Sequence, residues 1–258
     1  MRDLQVLVTN DDGIGAEGIA LLARVAGSIP AVAGVTVVAP ATQQSAMGHA
    51  LSIRESVRFR RVMDGWIAVA GTPTDCVFLA LRAGEHLGVP VPDLVLSGVN
   101  HGANMGDDIT YSGTVAAAME ATLLGVPAIA FSVPGRKEID FGAAERWIRP
   151  IVERMIGAPP KPKNFWNVNF PNLPAEGVGG IRVTHLGRHT YIGSVEPDPE
   201  REDSIRIGGG KLSWEIDSES DFHTVLEDSL VSVTPIRLDL NDYEQLTEMR
   251  RWRWEEDR

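Results

Sequence analysis

Residues 4–40 read LQVLVTNDDGIGAEGIALLARVAGSIPAVAGVTVVAP, and this stretch decides the fold class. Leu4–Thr9 is an apolar run of strand length, residues 17–26 repeat apolar side chains at helical spacing, and residues 35–39 form a second apolar run. Strand, helix and strand in that order open a parallel α/β sheet. Further along, residues 50–60 and 66–70 have strand character. Pro73 sits well at the first position of a helix over 73–86. Residues 93–97 and 126–132 are buried-strand runs on either side of a polar, Gly-rich loop over 98–112 and an Ala-rich helix over 114–124. Continuous apolar strands alternating with helices predict a parallel sheet covered on both faces. The second half predicts a helix over 143–156, strands over 165–170, 181–185 and 230–236, and a terminal helix from Tyr243 onward. Residues 188–220 far exceed an ordinary connection of about 4–6 residues. They predict either an extended hairpin that contacts another subunit or a surface loop.

The whole chain has 258 residues, which suits one large α/β domain or two small ones. With 43% hydrophobic and 23% charged residues it lies far from the profile of a disordered chain. Its 24 Lys and Arg against 35 Asp and Glu give a net charge of -11. That balance argues against long nucleic acids and anionic membranes, which bind through Lys and Arg, while leaving room for a small phosphate ester held through a cation. One cysteine, Cys76, precludes an intrachain disulfide, and no Cys/His spacing matches a zinc site. The expected compartment is the cytoplasm, with no signal peptide and no run of 18 apolar residues.

Three polar segments fall at carboxyl ends of predicted strands, where open α/β sheets bind ligands. The first is Asn10-Asp11-Asp12-Gly13, whose adjacent carboxylates repel each other unless a cation sits between them. Its residues also suit a solvated turn. Gly13, Gly15 and Gly18 mimic a dinucleotide fingerprint. Against that reading, the acid expected to bind ribose about 20 residues on is replaced by Ala39 and Pro40. The second segment is the loop 39–49, where Ser45 offers a hydroxyl and His49 is a structural hydrogen-bonding residue or a ligand. The third runs SGVNHGANMGDD from residue 97 and continues through Tyr111, Ser112, Gly113 and Thr114. Ser112 is placed to cap the helix that follows, whose free N–H groups suit a phosphate. Asn100 and Asn104 add amides. Asp11, Asp12, Ser45 and Asn100 offer only oxygen, which favours Mg²⁺, Mn²⁺ or Ca²⁺ over zinc or copper. Cys76 is read as a core residue, and Arg54, Arg58, Arg60 and Arg61 as decoration of an exposed strand face. Trp252 and Trp254 are read as part of a docked or subunit-exchanged helix.

The stretches VTNDDGIGAEGI, VVAPATQQSAMGHALSI, GTPTDC and LVLSGVNHGANMGDDITYSGTVAAAMEA resemble the SurE family of metal-dependent nucleoside monophosphate phosphatases. Weaker likeness extends through NVNFPNLP, IRVT, SDF at 220–222 and VSVTPI. The resemblance implies a Rossmann-like core over 1–135 with the active-site loops, all within a single domain over 1–258. Residues 136–258 would then supply the completing strands, a hairpin near 188–220 and a C-terminal helix used for assembly. It implies one divalent metal ion per subunit, Mg or Mn, held by Asp11, Asp12, Ser45 and Asn100, with Asp12 catalytic. Asn104, Ser112, Gly113 and Thr114 would line the phosphate. The implied substrates are nucleoside 5'-monophosphates, with 3'-monophosphates and short polyphosphate in some members, and the implied assembly is a homodimer or homotetramer. Gly15, Glu17, Gln43 and Gln44 depart from common family residues and bear on how the outer substrate is held. The rival readings are a nucleotide-sensing binding protein without turnover and a phosphatase with an Asp nucleophile. The latter usually separates its two Asp residues by one position.

Overall fold

The computed structural model describes residues 3–135, 138–192, 195–201, 203–208 and 210–252. In chain order its elements are β1 (Leu4–Thr9), α1 (Glu17–Gly27), β2 (Val32–Pro40), β3 (Phe59–Met63), β4 (Trp66–Val69), α2 (Pro73–Arg82), α3 (Gly84–Leu87), β5 (Leu94–His101), α4 (Gly113–Leu123), β6 (Ala128–Val133), α5 (Gly142–Gly157), β7 (Asn164–Asn169), β8 (Ile181–Val183), β9 (His189–Ile192), β10 (Val195–Pro197), β11 (Ile205–Ile207), β12 (Lys211–Trp214), α6 (Asp221–Leu226), β13 (Val231–Arg237) and α7 (Tyr243–Met249). A nine-stranded sheet runs β3-β4-β2-β1-β5-β6-β7-β13-β8. Strands β4, β2, β1, β5, β6 and β7 pair in parallel, whereas β3 and β13 run against their neighbours β4 and β7.

From β1 the chain builds outward to β2 and β4, then returns to lay β5, β6 and β7 on the other side. Neighbouring β1 and β5 therefore straddle the point where strand order reverses, which opens a crevice at their carboxyl ends. Helices cover both faces. On one, Ile19, Leu22, Ile148 and Val152 from α1 and α5 pack with Val6, Val8 and Phe131 of the strands. On the other, Cys76 and Val77 of α2 and Val115, Ala117 and Ala121 of α4 pack with Leu7, Val38 and Val95. Cys76 is thus the core residue expected, and burial pushes its thiol pKa well up. Gly18 permits the closest approach of α1 to the sheet, because a Cβ there would overlap the Val99 carbonyl oxygen of β5. Helix–strand contact thus accounts for the third glycine of the fingerprint-like run.

Residues 50–58 depart from the expected strand. The Ser52 backbone N–H and hydroxyl both donate to Asp75, each at 2.8 Å, and the Thr72 hydroxyl donates to the Ala50 carbonyl at 2.7 Å. These bonds draw the segment onto the N-terminus of α2, and Arg54 takes a left-handed turn at φ 68°. Only Arg60 and Arg61 of the basic run lie on β3, all of whose residues are exposed. The helix predicted over 73–86 divides into α2 and α3 at Ala83. The long 188–220 segment is an extended hairpin: β9 pairs with β12 and β10 with β11, both antiparallel and end to end. Trp252 is exposed beyond α7, and Trp254 lies outside the described residues. Among the described residues, no helix is long and apolar enough to cross a membrane.

Candidate active site

The residues after β1 turn sharply, with the Asn10 side-chain amide donating to the Gly13 carbonyl at 2.8 Å. That turn leaves Asp11 buried and Asp12 half-buried at the crevice. Burial is the main cause that raises the Asp11 pKa from 3.8 to about 6; the Thr114 hydrogen bond opposes the rise and the neighbouring Asp12 charge adds to it. The Thr114 hydroxyl donates to Asp11 Oδ1 through a short bond. Asp12 Oδ2 accepts the His101 backbone N–H at 3.0 Å, which ties it to the end of β5.

The loop after β2 folds over the same turn. Its Gln44 N–H donates to the Asp11 carbonyl at 2.7 Å, which brings neighbouring Ser45 to the crevice, where Ser45 Oγ accepts from the Gln43 amide at 3.0 Å. Asn100 stands on β5, and its Nδ2 donates to the Gly102 carbonyl at 2.9 Å, leaving Oδ1 as the atom suited to a cation. Asp11 and Asp12 after β1, Ser45 in the loop after β2 and Asn100 near the end of β5 thus stand at the carboxyl ends of neighbouring strands.

Ser112 is the N-cap of α4, as expected: its hydroxyl accepts the Val115 N–H at 3.1 Å. The N–H groups of Gly113 and Thr114 precede the first intrahelical bond, from Ala116 to the Ser112 carbonyl, so they belong to the open, positive end of the helix. Gly113 lies so close to Asp11 that a Cβ there would stand 2.8 Å from Asp11 Cβ and 3.1 Å from Oδ2. The capped helix end and the buried carboxylate are thus pressed together.

Asn104, expected against the phosphate, is also anchored to the sheet. Its Nδ2 donates to Ser132 at 2.7 Å, its backbone N–H donates to Asn169, and its carbonyl accepts from both Asn167 and Asn169. Through these bonds Asn104 pins the 98–112 loop to β6 and β7, and one N–H of its side-chain amide remains beyond the bond to Ser132. His49 likewise holds structure, since its Nε2 lies 2.7 Å from the buried Glu120 of α4.

Two further supports lacked a distinctive sequence signal. Asp221 is fully buried and accepts the N–H groups of Gly106, Gly187 and Phe222 at 2.8, 2.8 and 2.9 Å. Burial raises its pKa, and those N–H bonds oppose the rise. Asp108 accepts from Tyr191 and faces His189 Nε2 at 3.1 Å, which stitches the hairpin base onto the same loop. The alternating Asn residues of NVNF and the polar SDF triplet were the available hints.

The donor types suit a hard divalent cation, being two carboxylates, a hydroxyl and an amide oxygen at the carboxyl ends of adjacent strands. Thr9 Oγ1, Asn10 Oδ1 and Ser97 Oγ are also buried without hydrogen-bond partners on the strand ends beside them.

Comparison with known proteins gives a consistent result. The family model described as survival protein SurE matches residues 6–193. The chain is 42% identical to the 5'-nucleotidase SurE of Geobacter sulfurreducens, covering 96% of this chain and 94% of that one. Its identity to the 5'-nucleotidase SurE of Vibrio parahaemolyticus is 40%, with 99% and 96% covered. The crystal structure of the SurE protein from Aquifex aeolicus superposes with a TM-score of 0.80 at 35% identity, over 95% of this chain and 98% of that one.

Proposed function

This chain belongs to the SurE family, and from that premise we propose that it is a metal-dependent 5'-nucleotidase, releasing phosphate from nucleoside monophosphates. The observation that carries this reading is the Thr114-to-Asp11 hydrogen bond, which joins the oxygen-donor cluster to the capped N-terminus of α4. Acid residues alone would repel a phosphate, and a helix end alone offers no nucleophile. Together they supply a cation position and an anion position side by side.

In this reading Asp11, Asp12, Ser45 and Asn100 hold one divalent ion, Mg or Mn, which when bound neutralises phosphate charge and acidifies a water. The N–H groups of Gly113 and Thr114 face the equatorial oxygens, where charge spreads in the transition state. Ser112 keeps those N–H groups aimed by capping the helix. Asp12, fixed by the His101 N–H, orients the attacking water and takes its proton. The water oxygen bonds to phosphorus as the bond to the nucleoside oxygen breaks, and that oxygen leaves as a hydroxyl with the proton taken by Asp12. Asn104 holds the loop and offers its second amide N–H to the phosphate. The remaining parts of the reading are action on 3'-monophosphates and short polyphosphate, work in the cytoplasm as a single unit over residues 1–258, and assembly as a homodimer or homotetramer through the hairpin and C-terminal segment.

The test is phosphate release from a nucleotide panel with Mg²⁺ or Mn²⁺, with and without chelator, beside Asp12→Asn. Release is expected only from the unaltered chain with metal. Equal release from all three samples would overturn the proposal.

A further inference from the structure

The residues that follow β2 form a strap over 41–52 that is tied down at intervals. Near its start the Gln44 N–H donates to the Asp11 carbonyl at 2.7 Å. Farther on, the Gly48 N–H donates to the Tyr111 carbonyl at 3.0 Å, and His49 Nε2 lies 2.7 Å from Glu120 Oε2. Beyond these, Ala50 and Ser52 are held by Thr72 and Asp75 at the start of α2. Residues 45–47 lie between the ties at Gln44 and Gly48, and Ser45 is the first of them.

The ties hold a bend that the chain resists. Ala46 takes a left-handed φ of 58°, and Gly48 follows at 56°. A residue with a Cβ is strained in that region and stays there where its surroundings over-determine it. Cutting a tie on one side therefore lets the strap relax and carries Ser45 with it.

The tie to Glu120 differs in kind from the backbone ties. Glu120 is buried on α4, seven residues from Gly113 and so about two turns away on the same side of that helix. A carboxylate can only accept, which places the shared hydrogen on His49 Nε2. Buried as it is, the carboxylate holds this donor firmly, because losing it would leave the acceptor unsatisfied. The His49 side chain is 34% exposed and has water as an alternative partner.

Resting on the metal reading above, we propose that Glu120 and His49 are positioning residues for Ser45, a latch through which α4 sets where the Ser45 hydroxyl stands. Asp11, Asp12 and Asn100 sit at or beside strand ends and are placed by the sheet. Ser45, on a loop, needs an anchor of its own. One helix then governs both halves of the site: its first turn presents the N–H groups for phosphate, and its buried acid two turns below steadies a ligand for the cation.

The experiment titrates Mn²⁺ alone into the full chain and reads free Mn²⁺ by electron paramagnetic resonance, so no turnover enters. Glu120→Ala cuts the latch and leaves His49 to water. Its dissociation constant for Mn²⁺ is expected to rise about tenfold, the low end for residues that support a metal ligand. Glu120→Gln, which can still accept from His49, is expected to stay within about threefold of the unaltered chain. In a Ser45→Ala background, Glu120→Ala should shift the constant by less than about twofold, because a residue that acts through Ser45 has nothing left to position. The same loss in that background, or no loss in the unaltered one, overturns the assignment. His49→Ala runs the same cycle from the other partner and decides the matter if Glu120→Ala does not fold. Ser45→Ala that binds Mn²⁺ as tightly as the unaltered chain also overturns the assignment, while leaving metal dependence intact. If the unaltered chain binds no Mn²⁺, the metal-dependent reading falls and the latch with it.

Discussion

Gly113 shows how narrow the tolerances are at the level of single residues. Because a Cβ at that position would press on Asp11 at 2.8 Å and on the Pro73 ring at 3.1 Å, Gly113→Ala must displace the carboxylate or the start of α4. We expect kcat/KM for a nucleotide to fall at least about tenfold, while the cost to stability stays near that of a modest overpacking, roughly 1–3 kcal/mol. Steady-state rates beside a thermal melt check both parts. Asp11 permits a test that needs no turnover. A divalent ion that binds the folded chain raises its melting temperature by mass action, by about 2.7 kcal/mol when present at 100 times its dissociation constant. Asp11→Asn is expected to abolish that shift with Mn²⁺, and an undiminished shift would place the ion elsewhere.

Elements are held to one another by buried acids whose roles differ. Asp75 closes a capping box on α2 with Thr72, whose hydroxyl accepts the Asp75 N–H at 3.0 Å. Asp221 bridges the active-site loop and the hairpin base. Replacing it with Ala leaves the N–H groups of Gly106 and Gly187 without that acceptor, and at about 1–3 kcal/mol for each buried donor the melting temperature should drop clearly. Loss of kcat in the protein that remains folded is the expected companion, since Gly106 sits in the loop that carries Asn100 and Ser112. Asp228 acts at the surface. The Arg182 guanidinium beside it is the main cause holding its carboxyl below the ordinary 3.8. A depressed pKa contributes stability that is present above that value and is lost as pH falls through the lower one. Asp228→Asn should therefore flatten the decline of urea midpoints below about pH 4, and an unaltered slope would show that the pair contributes nothing. Local pattern revealed much at this scale. The β1–α1–β2 unit was legible because apolar period and turn residues agree there, and Ser112 was legible as a cap because a polar residue precedes an Ala-rich run. Residues 50–58 misled because their alternation imitates a strand, while the bonds that pull them away come from Thr72 and Asp75, some 20 residues downstream. The anchoring of Asn104 was not legible: its partners Ser132, Asn167 and Asn169 lie on strands that no local spacing connects to it.

At the scale of the whole molecule, the excess of 11 negative charges predicts weak affinity for anionic vesicles at physiological salt. Cosedimentation above the level of a neutral-vesicle control would contradict it. Parallel pairing across the sheet also has a temporal side. Asp11 and Asp12 leave the ribosome early, yet the end of β5, whose His101 N–H holds Asp12, reaches them only when β5 docks on β1, and Gly113 and Thr114 follow later still. A nascent chain that has made only its first 90 or so residues exposes two adjacent acids with nothing to complete them. Competence for chemistry is thus postponed until well over 100 residues have been made, so products terminated before that point are expected to be inert fragments rather than slow, unspecific hydrolases.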